Sequence, residues 1–180
     1  MKKELLPRLP VVLFSLSCGY EPLYATPAGE AYHVHLAKNA TASAIVAEEV
    51  VRGARETLAR EGTLAPGDGY PRIEIEVLRA DETSAGILAT ETPRGQEPQA
   101  TASDLAIVAR GYVVRRAGAS PDFDTGDLRD DALAAAPLGD AERELWQRED
   151  SLRAVGHRLG GRIVLRLLGH PVVAAPPDKP

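Results

Sequence analysis

The sequence predicts an α+β fold: a two-layer sandwich of order βαβββα, with a four-stranded, mostly antiparallel sheet and two helices on one face. Three stretches predict it. Residues 40–61 place Ala44, Ala47, Val51, Ala54 and Leu58 on one face of a helix. From Arg72 to Arg79, Ile73, Ile75 and Val77 alternate with Glu74 and Glu76, the pattern of a half-buried strand. Residues 141–168 carry a second helical stripe: Leu145, Leu152, Val155, Leu159, Ile163 and Leu167. The 180 residues suffice for one domain with a real core.

The remaining elements follow in chain order. Tyr32, Val34 and Leu36 alternate with His33 and His35, a first strand. In the first helix, Asn39 or Thr41 is the expected N-cap and Gly62 the expected stop. Glu48–Arg52 and Glu56–Arg60 are spaced for ion pairing along its wet face. Pro66-Gly67-Asp68-Gly69 is a turn signal before the second strand. Residues 84–102, rich in Thr, Gly, Pro and Gln, read as a long mobile loop. Leu105 to Val114 is apolar on both faces, as expected for a central strand, and 123–136 is a weaker, Asp-studded edge strand. Asp140 caps the final helix, with Glu142 and Glu144 in its first turn and Arg158, Arg162 and Arg166 later, the sense its dipole favours. Gly160-Gly161 inside that helix predicts a bend or a close contact.

Both ends read differently. Lys2, Lys3 and Arg8 precede the apolar run Leu9 to Leu16, and Ser17 precedes Cys18. A basic flank, a short apolar run and a small residue before a cut describe a secretory signal peptide over 1–17. Ser15-Leu16-Ser17-Cys18 resembles a bacterial lipobox, in which the cysteine is acylated and becomes the mature N-terminus. Gly19 after the cysteine is similar to lipoproteins sent to the outer membrane, facing the periplasm. Residues 18–30 then form a lipidated tether, 31–170 the α/β domain, and 171–180 a disordered Pro-rich tail. Two or more acyl chains anchor firmly, so the domain itself needs no apolar membrane face.

Composition excludes several functions. The net charge is −5, and more acidic still without 1–17, which hold three cations against Glu4. Such a domain is a poor nucleic-acid partner. One cysteine allows neither an internal disulfide nor a thiolate metal cage. His33 and His35 share a strand face and could meet one ion, but zinc needs further ligands and no HExxH or CxxC accompanies them. Asp122, Asp124, Asp127, Asp130 and Asp131 lack the glycine and glutamate positions of a calcium loop. No GxSxG, GxxxxGK[ST] or GxGxxG occurs. No enzyme, cofactor or metal is expected.

Cys18-Gly19-Tyr20-Glu21-Pro22-Leu23-Tyr24, Tyr32-His33-Val34, the helix from Ala40 with Glu48-Glu49-Val50, and Pro71 to Leu78 together resemble the lipopolysaccharide-assembly outer-membrane lipoprotein family, LptE. The resemblance covers nearly the whole mature chain. It implies a body that plugs the large LptD β-barrel, supports its assembly, and contacts lipopolysaccharide through basic residues. It implies acylation of Cys18, with Arg79, Arg115 and Arg116 as the nearest counterparts of the basic, headgroup-binding positions. Two alternatives stand beside it: an auxiliary lipoprotein of an ABC-type lipid transport system, and a secreted metal-dependent enzyme built on His33 and His35.

Overall fold

The computed structural model describes residues 29–92, 95–137 and 140–169. The elements are β1 (His33–Asn39), α1 (Ala44–Arg60), β2 (Arg72–Thr92), β3 (Gly95–Val114), β4 (Phe123–Asp124), β5 (Leu128–Pro137) and α2 (Ala141–Leu167). Residues 1–17, read as a signal peptide, Cys18 and the Pro-rich tail 171–180 lie outside the described residues.

The sheet is mixed. β1 pairs parallel to β2 through the crossover helix α1, while β2–β3, β3–β4 and β3–β5 are antiparallel. β3 is central, as its two apolar faces predict. Leu105, Ile107, Ala109 and Val113 join the helix-side core, while Ala106, Val108 and Val114 are buried on the opposite face. Ile73, Ile75 and Val77 are fully buried against the helices, and each such side chain contributes about 1.5–3 kcal/mol through the hydrophobic effect.

Four local expectations are corrected. Residues 84–102 are not a loop. They extend β2 and β3 into one long hairpin, with Ser84 opposite Ser103 and Thr92 opposite Gly95. Both faces of this extension are poor in large apolar residues, so no alternation marks it as strand. The 123–136 strand is split into β4 and β5 around Thr125–Asp127, where Gly126 takes a positive φ. Helix α1 starts later than Ala40, because Ser43 is the N-cap and its hydroxyl accepts from the Val46 amide. Asn39 and Thr41 build the lead-in turn instead, Asn39 Oδ1 accepting from the Thr41 amide at 3.0 Å. Arg52 pairs with Glu49 at 2.5 Å and Glu56 at 4.0 Å rather than with Glu48, while Arg60 donates to Thr57. Gly62 does end α1 with a positive φ. The Thr63 amide reaches the Leu58 carbonyl and the Gly62 amide the Ala59 carbonyl, a Schellman closure.

The close contact predicted at Gly160-Gly161 is the seam between the helices. A Cβ at Gly160 would lie 2.0 Å from the Val50 carbonyl oxygen, and one at Gly53 2.0 Å from that of His157. Gly156 faces Val46 and Glu49, and Gly161 faces Thr57. Contact positions rise together along both helices, so α1 and α2 run parallel. Small residues four apart let two backbones approach this closely. Beneath α2, a Cβ at Gly111 of β3 would lie 2.3 Å from Ile163 Cγ2. Chain direction then gives the molecule two ends. One end, the base, holds Gly29, the start of β2, the end of β3 and both helix C-termini. The distal end holds the hairpin tip, the end of β5 and the start of α2.

Gly160→Ala is expected to lose about 1–3 kcal/mol of unfolding free energy, because backbone cannot yield to the added methyl. Gly161→Ala, whose Cβ would meet the Thr57 hydroxyl at 2.9 Å and backbone no nearer than the Gly53 carbonyl oxygen at 4.0 Å, is expected to cost less. Urea denaturation of both variants checks the order; equal stabilities would refute the seam.

Candidate functional site

Arg79, Arg115 and Arg116 do not converge. Arg79 sits on β2 opposite Val108, while Arg72 is opposite Val114 at the base. Arg79 and Arg115 are therefore about 23 Å apart along the sheet at ordinary strand rise. Arg79 is more than half exposed and pairs with Asp81 at 3.0 Å. Arg115 pairs with both Glu30 and Asp122, so it clamps the segment before β1 to the end of β3. Arg116 is exposed beside it. Tyr32 also donates to Glu30 at 3.0 Å. Burial first, then that hydrogen bond and the Glu30 charge, hold the Tyr32 phenol above its ordinary pKa.

Asp122, Asp124, Asp130 and Asp131 of the acidic segment each pair with an arginine. Arg110 grips Asp124, and the pair lowers the Asp124 carboxyl pKa, helped by the Gly126 amide. Asp130 points toward α2, its side chain only 13% exposed, and meets Arg158 at 3.2 Å and Arg162 at 3.6 Å. Arg158 and Arg162 also donate to the Asp131 and Arg129 carbonyls, each at 3.0 Å. These two arginines latch α2 to β5 and are spoken for. On the open sheet face, Tyr112 donates to Glu76 at 3.2 Å, and burial followed by Glu74 and Glu76 pushes its phenol well above the usual range.

His33 and His35 occupy neighbouring outward positions of β1, and His33 Nδ1 lies 3.1 Å from the Gly67 carbonyl. Among the described residues no three His, Cys, Asp or Glu side chains gather where a metal could be held. An open groove of about 750 Å³ runs between β1, α1 and the 64–68 segment, floored by Val34, Leu36, Val51 and Leu64. It presents apolar surface without a nucleophile–base pair.

The sequence pattern missed the exposed apolar surface of the distal end. Leu145 belongs to the stripe predicted as core, yet it is 63% exposed and Trp146 beside it 59%. α1 begins level with about Leu152 of α2, so the first turns of α2 have no helix to pack against. Ile87 on the hairpin and Leu133 on β5 add to this end, 64% and 58% exposed. The missed signal was length: α2 has 27 residues against 17 in α1. No helix of the described residues is long and apolar enough to cross a membrane.

No protein-family model matches the chain, and no curated protein matches its sequence. Solved structures do. A minor lipoprotein of Acinetobacter baumannii shares 12% identity at TM-score 0.47, over 78% of this chain and 94% of that one. A candidate lipoprotein of Caulobacter crescentus CB15 shares 9% at TM-score 0.48, over 73% and 88%. Rare lipoprotein B of Shewanella oneidensis shares 14% at TM-score 0.39, over 73% and 94%. At such identities and scores these likenesses assign no role and no residue.

The arginine clamp on Asp124 predicts a pH effect. The carboxyl pKa is lowered in the folded chain, so its stabilising contribution is present above the unfolded value of about 3.9 and fades as pH falls through the folded value. Arg110→Met is expected to raise the Asp124 pKa, read by carboxyl NMR titration, and to leave stability less sensitive to acid. An unmoved Asp124 titration would refute the pairing.

Proposed function

We propose that the chain is a lipid-anchored envelope protein whose α/β body binds and supports a large outer-membrane β-barrel of the LptD type in lipopolysaccharide transport. Cys18 after Ser17, behind a basic flank and an apolar run, carries the anchoring half of this proposal. Acyl chains on that sulfur tie an otherwise water-compatible body to a membrane, at about 0.8 kcal/mol per buried CH₂.

The supporting half draws on surface chemistry. The described residues offer an extended sheet and an exposed apolar distal end rather than an enclosed polar pocket. Macromolecular partners use such surfaces, with aromatic side chains as anchors. Ile87, Leu133, Leu145 and Trp146 are the residues assigned to barrel contact. Lipopolysaccharide contact would use Arg79, the one of the three candidate cations on the broad open face, whose only ion-pair partner among the described residues is the exposed Asp81. An exposed pair of this kind is worth about 0–1 kcal/mol, so a phosphate can displace it.

Cys18→Ser is expected to abolish acylation and membrane retention, read by intact mass and by fractionation of native material. An unmodified wild-type mass would overturn the anchored assignment. Co-purification from detergent-solubilised envelope is expected to recover a very large barrel, with Trp146→Asp lowering the yield. Recovery of an inner-membrane transporter instead would favour the ABC-type alternative.

A further inference from the structure

β1 is an edge strand whose outer side is covered only at its foot. It pairs with β2 on one side. On the other, the Tyr32 amide donates to the Thr63 carbonyl at 2.7 Å, and the Tyr32 carbonyl accepts from the Ala65 amide at 2.9 Å. That bridge ends after one residue, where 66–68 bends away. Backbone groups alternate sides along a strand. His33 turns its amide inward to the Pro71 carbonyl, so Val34 and Leu36 turn theirs outward, above the bridge. Among the described residues no strand pairs with them there. An Arg55 guanidinium reaches the Val34 carbonyl from α1, at a long 3.4 Å.

This edge borders the apolar groove between β1, α1 and 64–68, in which Leu36 remains 36% exposed. Such a surface accepts an added strand: main-chain hydrogen bonds hold it, and alternate side chains enter the groove. The chain leading into β1 supplies a segment of the right reach. Residues 19–28 arrive through Gly29 and Glu30, and Arg115 with Tyr32 fixes Glu30 at the foot of β1. Val34 stands four residues above Glu30, about 13 Å at strand rise. Leu23 lies seven residues before Glu30, a reach of about 23 Å. That suffices to round the 63–65 segment and lie back along the edge. Pro22-Leu23-Tyr24-Ala25 is uncharged, and 19–28 carries one charge, Glu21. The groove rim mixes signs, Arg55 and His35 against Glu48 and Asp68, which suits a nearly neutral occupant. The C-terminal segment instead starts from Gly169 beyond α2, with α1 between it and the groove.

We propose that residues 22–25 add to the outer edge of β1 as an antiparallel strand, with Leu23 and Tyr24 covering the apolar groove. This goes beyond the proposed function and rests on its reading of 18–30 as a tether. The sheet gains a strand, and residues 19–21 alone link Cys18 to the body. The acyl anchor is thereby held within about 13 Å of the groove.

Amide hydrogen exchange, read by NMR on the full mature chain in detergent micelles, tests this after intact mass has fixed the state of Cys18. The Val34 and Leu36 amides are expected to be protected. Leu23→Asp with Tyr24→Ser is expected to speed their exchange at least ten-fold and to leave the Ile73 and Ile75 amides unchanged. Fast exchange at Val34 and Leu36 in the unsubstituted chain would overturn the docking, as would protection that survives the double substitution. Protection lost with Val172→Asp and Val173→Asp would make the C-terminal segment the occupant, and protection lost on dilution would make it a second copy; either result overturns the proposal. Thiol pairs give a second reading. Leu23→Cys with Leu36→Cys is expected to form a disulfide at least ten-fold faster than Leu23→Cys with Arg116→Cys, which lies beside the Glu30 clamp within the same reach. Equal rates describe a tether that ranges freely and overturn the docking. The mass separates the two ideas. An acylated Cys18 with unprotected amides sinks the docking alone, whereas protected amides on a chain with unmodified Cys18 sink the lipid anchor and leave the docking standing.

Discussion

Backbone-to-backbone contact between α1 and α2 is the constraint on which the architecture depends. With Gly53, Gly156 and Gly160 at the seam, the helices approach more closely than any side chain with a Cβ would allow. That approach places Val155, Leu159, Ile163 and Val164 of α2 in one cluster with Val46, Val50, Ala54 and Leu58 of α1. It also presses α2 down until Ile163 fills the space over Gly111. The three contacts fix depth, direction and register of α2 together. The cost of glycine in a helix, about 1 kcal/mol each, is offset because a wider spacing would leave the core side chains underpacked.

Once α2 is fixed there, the charge pattern of the rest of the molecule follows. Asp130 lies on the helix side of β5, opposite Ile107 of the core row. A carboxylate in that position needs partners, and Arg158 and Arg162 are the side chains the seam brings over it. The helix row Arg158–Arg162–Arg166 therefore divides: two members hold β5, and the third, beyond the start of β5, is exposed. The same economy governs Arg110 with Asp124 and Arg115 with Asp122. An Asp-rich segment that resembles a cation loop in one dimension is, in three, the mirror of an arginine set drawn from β3 and α2. A half-buried Asp130 held by two arginines does more for specificity than an exposed pair of the Arg79–Asp81 kind.

The legibility of the fold follows the same physics. β1, α1, the first half of β2 and the body of α2 bury one apolar face, so period 2 or period 3.6 marks them, while the second half of β3 is marked by an unbroken apolar run buried on both faces. The outer hairpin was illegible because a strand extension without a core beneath it needs no alternation. Ser43 as cap was obscured by Asn39 and Thr41, which are equally good hydrogen-bond acceptors nearby and are used one turn earlier. Leu145 carries the helical stripe faithfully but outruns its partner helix, a failure of length rather than period. For the candidate site, Cys18 was legible as local chemistry. The separation of Arg79 from Arg115 was not, since it depends on a strand register that only pairing reveals. The role of Arg115 as a clamp rested on Glu30, a contact across 85 positions that no local pattern encodes.

The two-ended shape ties these features to function. A chain entering at the base and a sheet whose β2 runs on from Arg72 to Thr92 put the hairpin tip about 65 Å from the entry point at ordinary strand rise. The compact core, closed by the glycine seam, occupies the base half, so the distal half gains its rigidity from sheet hydrogen bonds and from Arg148 reaching Glu82 at 2.7 Å. Exposed Ile87, Leu145 and Trp146 at the end of so thin a structure contribute little to folding. In the proposed function these are the side chains that a second macromolecular surface covers.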